Sequence, residues 1–299
     1  GMTGPAGADG APGAPGADGA PGPQGPAGLP AAKYIVATTL GDGATHTSLN
    51  AAIAQAVLDG HGLGNQTTIL VRPGVYTENV DLKGGIHVVA ATPGKHFTTQ
   101  FNGNATYTNQ GGPVTIIGIE FAATSGDALD ISSGVGASQV YMTGGGFTAA
   151  SGADDAVQIN VAMSGATPGL IHDDVVFRAQ SGSTGYPVNM VSGTIQGRAG
   201  PFSPASNNSV AFNMANGSRA WLRDADVFGR VLAADASSFQ ARYSQLRPGA
   251  FPAVVDTATG THILQDCLIG SPSIAYAGDA FTSDGGGAFW YGGLSFTPP

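Results

Sequence analysis

The sequence predicts a mainly β protein, in which a collagen-like triple helix precedes a trimeric β-solenoid with one N-terminal capping helix. Three observations support this fold class. Glycine occupies every third position through the first thirty residues, charged residues make up only 10% of the 299-residue chain, and short apolar segments recur through its middle. The first observation fixes an oligomeric state, and the other two favour strands over helices.

Residues 1–30 repeat Gly-X-Y without a break. Only glycine fits at the crowded axis of three wound polyproline-II strands, so this register has a purpose only when two further chains share the axis. The alternative is a Pro/Gly-rich linker without fixed structure, which has no reason to hold one glycine register. We therefore predict a homotrimer. The glycines expected to line its axis are Gly4, Gly7, Gly10, Gly13, Gly16, Gly19, Gly22, Gly25 and Gly28.

Composition narrows the classes of partner. The net charge is −9, and the only glutamates are Glu78 and Glu120. Nucleic acid is not expected as a partner, because phosphate binding needs clustered Lys and Arg. A membrane is not expected either, because no apolar run reaches spanning length. Cys267 is the only cysteine, so no disulfide can form within the chain and a buried position is predicted for it.

Residues 31–66 are predicted to form a transition strand and a capping helix. Residues 33–40 are rich in β-branched and aromatic side chains and indicate a strand. Residues 48–59 carry apolar side chains at helical spacing, with Thr47 or Ser48 as the N-cap. The apolar stripe consists of Leu49, Ile53, Ala56 and Val57. Such a helix could cover the open end of a solenoid core, although an ordinary amphipathic helix packed on a sheet would show the same pattern.

Residues 67–270 are predicted to form the solenoid, opening with strands at 67–71, 75–82 and 86–90. Later segments repeat a few apolar residues, a polar kink and an aromatic or aliphatic residue. These segments are 114–121, 140–147, 170–177, 221–228 and 263–269. Coils of a solenoid bury their inner faces only by stacking, so inward residues should form ladders. A sandwich is less natural because hairpin signals such as Asn-Gly are few.

Residues 41–94 carry a more specific signal. They contain, in order, Gly41-Asp42-Gly43, the helical sequence SLNAAIAQA, the strand TILV and the sequence PGVYTENV at 73–80. This order resembles the start of pectin-lyase-like proteins, especially the pectin methylesterase family. The resemblance implies a right-handed parallel β-helix. It does not imply the esterase activity, because the family's catalytic set has no convincing counterpart; the nearest, Gln265-Asp266-Cys267-Leu268, lies in the last apparent coil.

Carboxylates on adjacent coils could supply the acid and base of a glycosidase or lyase. The candidates are Glu120, Asp127, Asp130, Asp154, Asp155, Asp173 and Asp174, with His172 as a base and Arg178 as a clamp on an acidic polysaccharide. The structural alternative is that these side chains stabilise turns, because each lies near a Gly/Ser-rich turn or a strand end. No metal site is predicted, because the acidic motifs supply too few spaced ligands, and no cofactor is predicted.

Residues 271–299 are predicted to form an aromatic-rich tip. Phe289, Trp290 and Tyr291 could stack on sugar rings, or they could pack around the threefold axis and lock the trimer. We favour packing, because the stalk needs a clamp that holds the chains in register. Trp221, on the coils, is a further candidate for contact with a glycan or between chains.

A collagen-like stalk joined to a trimeric β-helix resembles a bacteriophage tail fibre or tailspike. The resemblance implies a trimeric adhesin that attaches the virion to its host by binding bacterial surface polysaccharide. Tail or baseplate proteins would be its partners at the N-terminus, and its location would be the virion tail, outside the cell. One alternative is a tailspike that degrades the polysaccharide as a lyase or hydrolase, and another is a structural collagen-like filament on a bacterial surface.

Overall fold

The computed structural model describes residues 33–92, 98–108, 112–133, 138–150, 152, 154–161, 169–180, 184–205, 210–235, 237–247, 254–256, 262–265, 267–269 and 275–276. All of them belong to one compact unit, Ala32–Pro299. The predicted stalk and its axial glycines lie outside the described residues. So does the predicted aromatic tip, apart from residues 275–276.

The described chain contains one α-helix and 26 short strands. In chain order they are β1 (Tyr34–Val36), α1 (Leu49–Leu58), β2 (Thr67–Val71), β3 (Gly74–Tyr76), β4 (Val80–Asp81), β5 (Ile86–Ala90), β6 (Thr99–Asn102), β7 (Ala105–Thr108), β8 (Gly112–Ala122), β9 (Leu129–Ser133), β10 (Ser138–Thr148), β11 (Val157–Val161), β12 (Leu170–Asp173), β13 (Val176–Arg178), β14 (Val188–Ser192), β15 (Thr194–Arg198), β16 (Pro201–Ser203), β17 (Val210–Met214), β18 (Arg219–Arg223), β19 (Asp226–Phe228), β20 (Arg230–Ala233), β21 (Ser238–Arg242), β22 (Gln245–Arg247), β23 (Val254–Asp256), β24 (Ile263–Gln265), β25 (Leu268–Ile269) and β26 (Ala275–Tyr276).

The strands stack in three faces, and every pairing between them is parallel. Face A comprises β1, β2, β5, the first parts of β8 and β10, β12, β15, β18, β21 and β24. Face B comprises β3, β6, the second parts of β8 and β10, β13, β16, β19, β22 and β25, and face C comprises β4, β7, β9, β11, β14, β17, β20, β23 and β26. One strand from each face makes a coil, and we number the coils from 1, which begins with β2, to 9, which begins with β24. This parallel β-helix confirms the prediction of stacked coils.

A ladder of aromatic rings fills the core behind face B. Its register places Tyr76, Phe101, Phe121, Phe147, Phe177 and Phe202 in successive coils. Neighbouring ring centroids lie 4.6 to 5.9 Å apart. Each ring buries a large apolar area, and the close spacing adds ring–ring attraction to that burial. Phe121, Phe147 and Phe177, which end the recurring segments 114–121, 140–147 and 170–177, are therefore core residues.

Helix α1 covers the first coil, which is the first of the two arrangements that its helical pattern allowed, and Ser48 is its N-cap. The carboxylate of Glu78 accepts hydrogen bonds from the Ser48 hydroxyl (2.7 Å) and from the Leu49 N–H (2.7 Å). An acidic group suits a helix N-terminus, because free N–H groups and the positive end of the helix dipole meet there. Glu78 of the PGVYTENV sequence therefore fastens α1 to the corner that follows β3. Within the described residues, no helix is long and apolar enough to cross a bilayer.

Three details of the sequence predictions were wrong. The strand predicted at 33–40 ends at Val36, where the pairing with β2 ends. Val57 is not part of the buried stripe of α1, because 48% of it is exposed. The strand predicted at 75–82 is two strands, because the chain turns a corner between β3 and β4. In β19, the residue in register with Phe202 is Val227, so Val227 takes the core position there.

The corner between faces A and B repeats one backbone conformation in coils 5 to 8. The residue after the face A strand has positive φ in each of them: Asp174 (53°), Ala199 (54°), Asp224 (52°) and Tyr243 (50°). The N–H groups of the first three donate to the carbonyl of the last face A residue one coil further on, at 2.9 to 3.0 Å. Because this corner repeats, successive face A strands end at equivalent positions in their coils. The outward side chains at these strand ends therefore stack on one another.

Candidate functional site

Four of the carboxylates predicted as candidate acids or bases lie near the corner between faces B and C in coils 3 and 4. They are Asp127, Asp130, Asp154 and Asp155. Burial raises the pKa of Asp127 and of Asp130, and it raises the pKa of Asp155 to about 6. Neighbouring carboxylates raise these pKa values further. A carboxyl with a pKa near 6 can hold a proton close to neutral pH, as a general acid must.

Hydrogen bonds to the backbone occupy three of these carboxylates. Asp127 Oδ1 accepts from the N–H of Asp155 in the next coil (2.7 Å). Asp155 Oδ1 accepts from the N–H of Tyr186 (2.7 Å), and its Oδ2 accepts from the Asn189 side-chain amide (2.7 Å). Asp154 also accepts from a backbone N–H, in coil 3 (2.9 Å). These contacts tie one coil corner to another, as the structural alternative predicted.

Glu120 lies on a different face from these aspartates. It projects outward from face B, is 8% exposed, and accepts a hydrogen bond from the Thr148 hydroxyl (3.3 Å). Burial raises the pKa of Glu120, while the Arg178 guanidinium acts in the opposite direction. The structure therefore brings Glu120 near Arg178 but places neither beside the aspartates of the corner between faces B and C.

The sequence His172-Asp173-Asp174 does not form one site. His172 points into the core, where its ring meets the edges of Phe177 and Phe202 at centroid distances of 5.0 and 5.5 Å. Burial lowers the pKa of His172 to about 3. Asp173 points outward because side chains alternate along a strand, and Asp174 forms the corner. The role of a base, expected for His172, has to be corrected, since an interior ring cannot reach a polysaccharide outside the coils.

The outer surface of face A in coils 6 to 8 carries a group of residues that the sequence predictions did not include, apart from Trp221. Arg219, Trp221 and Arg223 alternate along β18 and project outward. In register with Trp221 are Gln196 on β15 and Gln240 on β21. We call this surface, with the arginines stacked on Arg223, the arginine–tryptophan face. Its arginines are Arg198, Arg219, Arg223 and Arg242.

Three of these arginines form a ladder. Arg198, Arg223 and Arg242 are the last residues of their strands and are paired directly in the register of the sheet. The side chains of Arg198 and Arg223 are 62% and 63% exposed. Asp173 precedes Arg198 in the ladder and accepts two hydrogen bonds from its guanidinium, at 3.0 and 3.2 Å.

Aromatic rings lie beside the ladder. Trp221 is half-buried, and Tyr243 at the corner is 52% exposed. The Arg223 guanidinium lies 5.4 Å from the centroid of the Tyr243 ring, and its Nε lies 3.5 Å from Asp224 Oδ2. The arginine–tryptophan face therefore presents guanidinium groups, an aromatic ring and side-chain amides on one exposed surface of the sheet. The sequence signal was the alternation RAWLR at 219–223, but the arginine partners come from other coils.

Cys267 is buried as predicted, with its Sγ 3.2 Å from the Ala241 carbonyl oxygen. In the part of the chain that the structure describes, no group of three or more His, Cys, Asp or Glu side chains is arranged to hold a metal ion.

Comparisons with known proteins show a distant likeness. No protein-family model matches the chain, and no curated protein matches it. Among solved structures, one of pectin methylesterase in complex with a hexasaccharide is similar over 81% of each chain, with 10% sequence identity and a TM-score of 0.29. A likeness at this level says nothing about activity, and the description of the fold rests on the strand pairing itself.

Proposed function

We propose that this chain is a trimeric attachment protein of a bacteriophage tail fibre or spike, which binds a polysaccharide of the bacterial surface. The observation that carries the proposal is the arginine–tryptophan face. Aromatic rings stack on the apolar faces of sugars, and amides and guanidinium groups donate hydrogen bonds to sugar oxygens. A regular, solvent-exposed sheet offers such groups in rows, which suits a chain of repeating sugars.

The Gly-X-Y sequence supports the trimeric part of the proposal, because a collagen-like segment needs three chains. Three copies would present three equivalent faces, so a polysaccharide with repeated epitopes would be held more tightly by the trimer than by one chain. Tail or baseplate proteins would hold the N-terminal end, and the coils would meet the cell. Light scattering of the full chain should then give the mass of three copies, and a mass of one or two would contradict this part.

A second candidate function is cleavage of the polysaccharide. It is favoured by the raised pKa of Asp155 and opposed by the hydrogen bonds that occupy both oxygens of its carboxylate. We rank it below binding, because a carboxyl that holds two coil corners together is not free to approach a glycosidic oxygen.

One experiment tests both functions. The full chain is incubated with purified capsular polysaccharides and lipopolysaccharides, and retention and fragment size are measured on the same samples. We expect retention without fragmentation, and weaker retention for Trp221→Ala. Phe228→Ala is the matched control, because Phe228 is a half-buried aromatic residue on face B of the same coil. Fragmentation that disappears in Asp155→Asn would establish cleavage instead, and no retention of any glycan would overturn the attachment proposal.

A further inference from the structure

We propose that the glycan held by the arginine–tryptophan face is a polyanion, and that Arg198, Arg223 and Arg242 bind its carboxylate or sulfate groups while Trp221 contacts a sugar ring. This inference rests on the proposed function, since it names the class of polysaccharide for that same face.

The arginine ladder is costly for the protein by itself. Strands in a parallel sheet lie about 4.8 Å apart, so guanidinium groups in direct register on three successive strands repel one another. Asp173 neutralises one end of the ladder through Arg198, and Asp224 lies beside Arg223. The Arg223 side chain is nevertheless 63% exposed, so a ligand can reach its guanidinium group. Bound anions would relieve this repulsion. Anion binding therefore accounts for the row of arginines, whereas the stability of the sheet does not.

The guanidinium group selects the chemistry of the ligand. Its planar fork matches the paired oxygens of a carboxylate, sulfate or phosphate, and it remains charged at every relevant pH. Arg198 already shows this geometry, because Asp173 receives hydrogen bonds from its Nε and from one terminal nitrogen. A ligand carboxylate at Arg223 or Arg242 could be held in the same way.

The layout of the face sets the direction of the ligand. The ladder runs from coil to coil, along the axis of the β-helix, and Gln196, Trp221 and Gln240 form a parallel row beside it. A polysaccharide lying along the axis would place its acidic groups on the arginines and its rings on Trp221. The amides of Gln196 and Gln240 would then donate to or accept from its hydroxyl groups.

The charge of the whole chain limits the class of polyanion. Four of its eight arginines lie on this face, yet the net charge is −9. A densely charged polymer such as nucleic acid would be repelled over most of the surface, because its binding requires extended clusters of cations. A glycan whose acidic groups are separated by neutral sugar atoms needs only the arginine ladder for binding.

The test compares charged and neutral forms of one polymer, with the full-length protein and at two salt concentrations. Dextran sulfate is paired with dextran, and alginate with its propylene glycol ester, so that the sulfate and carboxylate sources are distinguished. We expect the charged member of at least one pair to bind about tenfold or more tightly than its neutral partner, and to weaken as salt rises. Selectivity for one pair identifies which acidic group the ladder takes.

The variants place the site. Arg223→Gln should lower the affinity for the charged polymer about tenfold, as expected for one lost charge-assisted contact. Arg247→Gln is the matched control, because Arg247 is an exposed arginine on face B, next to Phe228. Its affinity should be unchanged. Asp173→Asn should raise the affinity about threefold, because it releases Arg198 from its ion pair. Unfolding by urea checks that each variant is folded. If the arginines had only a structural role, Arg223→Gln and Asp173→Asn would not change the affinity in opposite directions.

The outcomes separate the two proposals. Equal binding of charged and neutral polymers, lost in Trp221→Ala, would overturn the polyanion and leave the attachment function standing. No binding of these polymers or of any bacterial surface glycan would overturn both. A thirty-nucleotide oligothymidylate bound as tightly as the charged glycans would overturn the glycan as the ligand class.

Discussion

His172 should contribute a loss of stability in acid, and its replacement by leucine should remove that contribution. The ring is buried, and within the described residues neither of its nitrogens has a hydrogen-bond partner. Burial lowers the pKa of His172 to about 3 in the folded protein, whereas histidine in an unfolded chain titrates near pH ~6.5. The unfolded chain therefore binds a proton that the folded chain does not bind between these values. The contribution of His172 to the free energy of unfolding is complete above pH ~6.5 and is lost as pH falls toward about 3.

The magnitude follows from the size of the shift. Each pH unit within this window changes the free energy of unfolding by ~1.4 kcal/mol, so the loss at pH 5 is about 2 kcal/mol. Asp155 has the opposite effect. Burial raises its pKa to about 6, so its contribution to stability is complete below pH ~4 and is lost as pH rises through about 6. The two effects offset each other between these values in the unaltered protein, and variants are needed to separate them.

The assay is unfolding by urea at a fixed chain concentration, at pH 7.5, 6 and 5. The stability gained by His172→Leu should grow by about 2 kcal/mol between pH 7.5 and 5. Met142→Leu is the control, because Met142 is the core residue in register with His172 and does not titrate. Its effect should be the same at every pH. Asp155→Asn should make the protein lose stability more steeply on acidification than the unaltered chain. A pH-independent effect of His172→Leu would refute the reasoning.

Three further substitutions test the packing of the coils. Gly197→Ala would place a Cβ 2.0 Å from His172 Nε2 and should cost about 1–3 kcal/mol, most of which should be recovered in a His172→Ala background. Equal losses in both backgrounds, measured by urea unfolding, would disprove the contact. Glu78→Ala should cost about 1–2 kcal/mol and reduce hydrogen-exchange protection first in α1, because it leaves the helix N-terminus without its carboxylate. Unchanged protection there would argue against this cap. Phe147→Ala should cost about 3–5 kcal/mol because it opens a gap in the aromatic ladder, while Phe228→Ala should cost much less, and similar losses would be evidence against the ladder as the main core.

The parts of the fold that were predicted from the sequence have local causes. Helix α1 was expected because its apolar residues recur at helical spacing after an N-cap, and both signals lie within about twelve residues. Strands β2 and β5 were predicted with their correct ends, because β-branched runs there are bounded by turn residues. Phe121, Phe147 and Phe177 end the recurring segments that predicted stacked coils, and the structure buries all three.

The candidate site was predicted less well, because it depends on register between coils. His172 and Asp173 are neighbours in sequence, but strand alternation places one in the core and the other in solvent. Arg198, Arg223 and Arg242 are far apart in the chain, and unequal loops separate them. Nothing in the sequence alone states that they share one row, since that depends on where each face A strand ends.

The sequence by itself predicted short strands in stacked coils, because charged residues are scarce and short apolar segments recur, while few hairpin signals made a sandwich less natural. It also carried the Gly-X-Y pattern from which three chains are inferred. The tertiary structure alone decided which polar residues meet. Side chains on different coils become neighbours only through the register of parallel strands, and in coils 5 to 8 that register is set by the repeated corner after the face A strand.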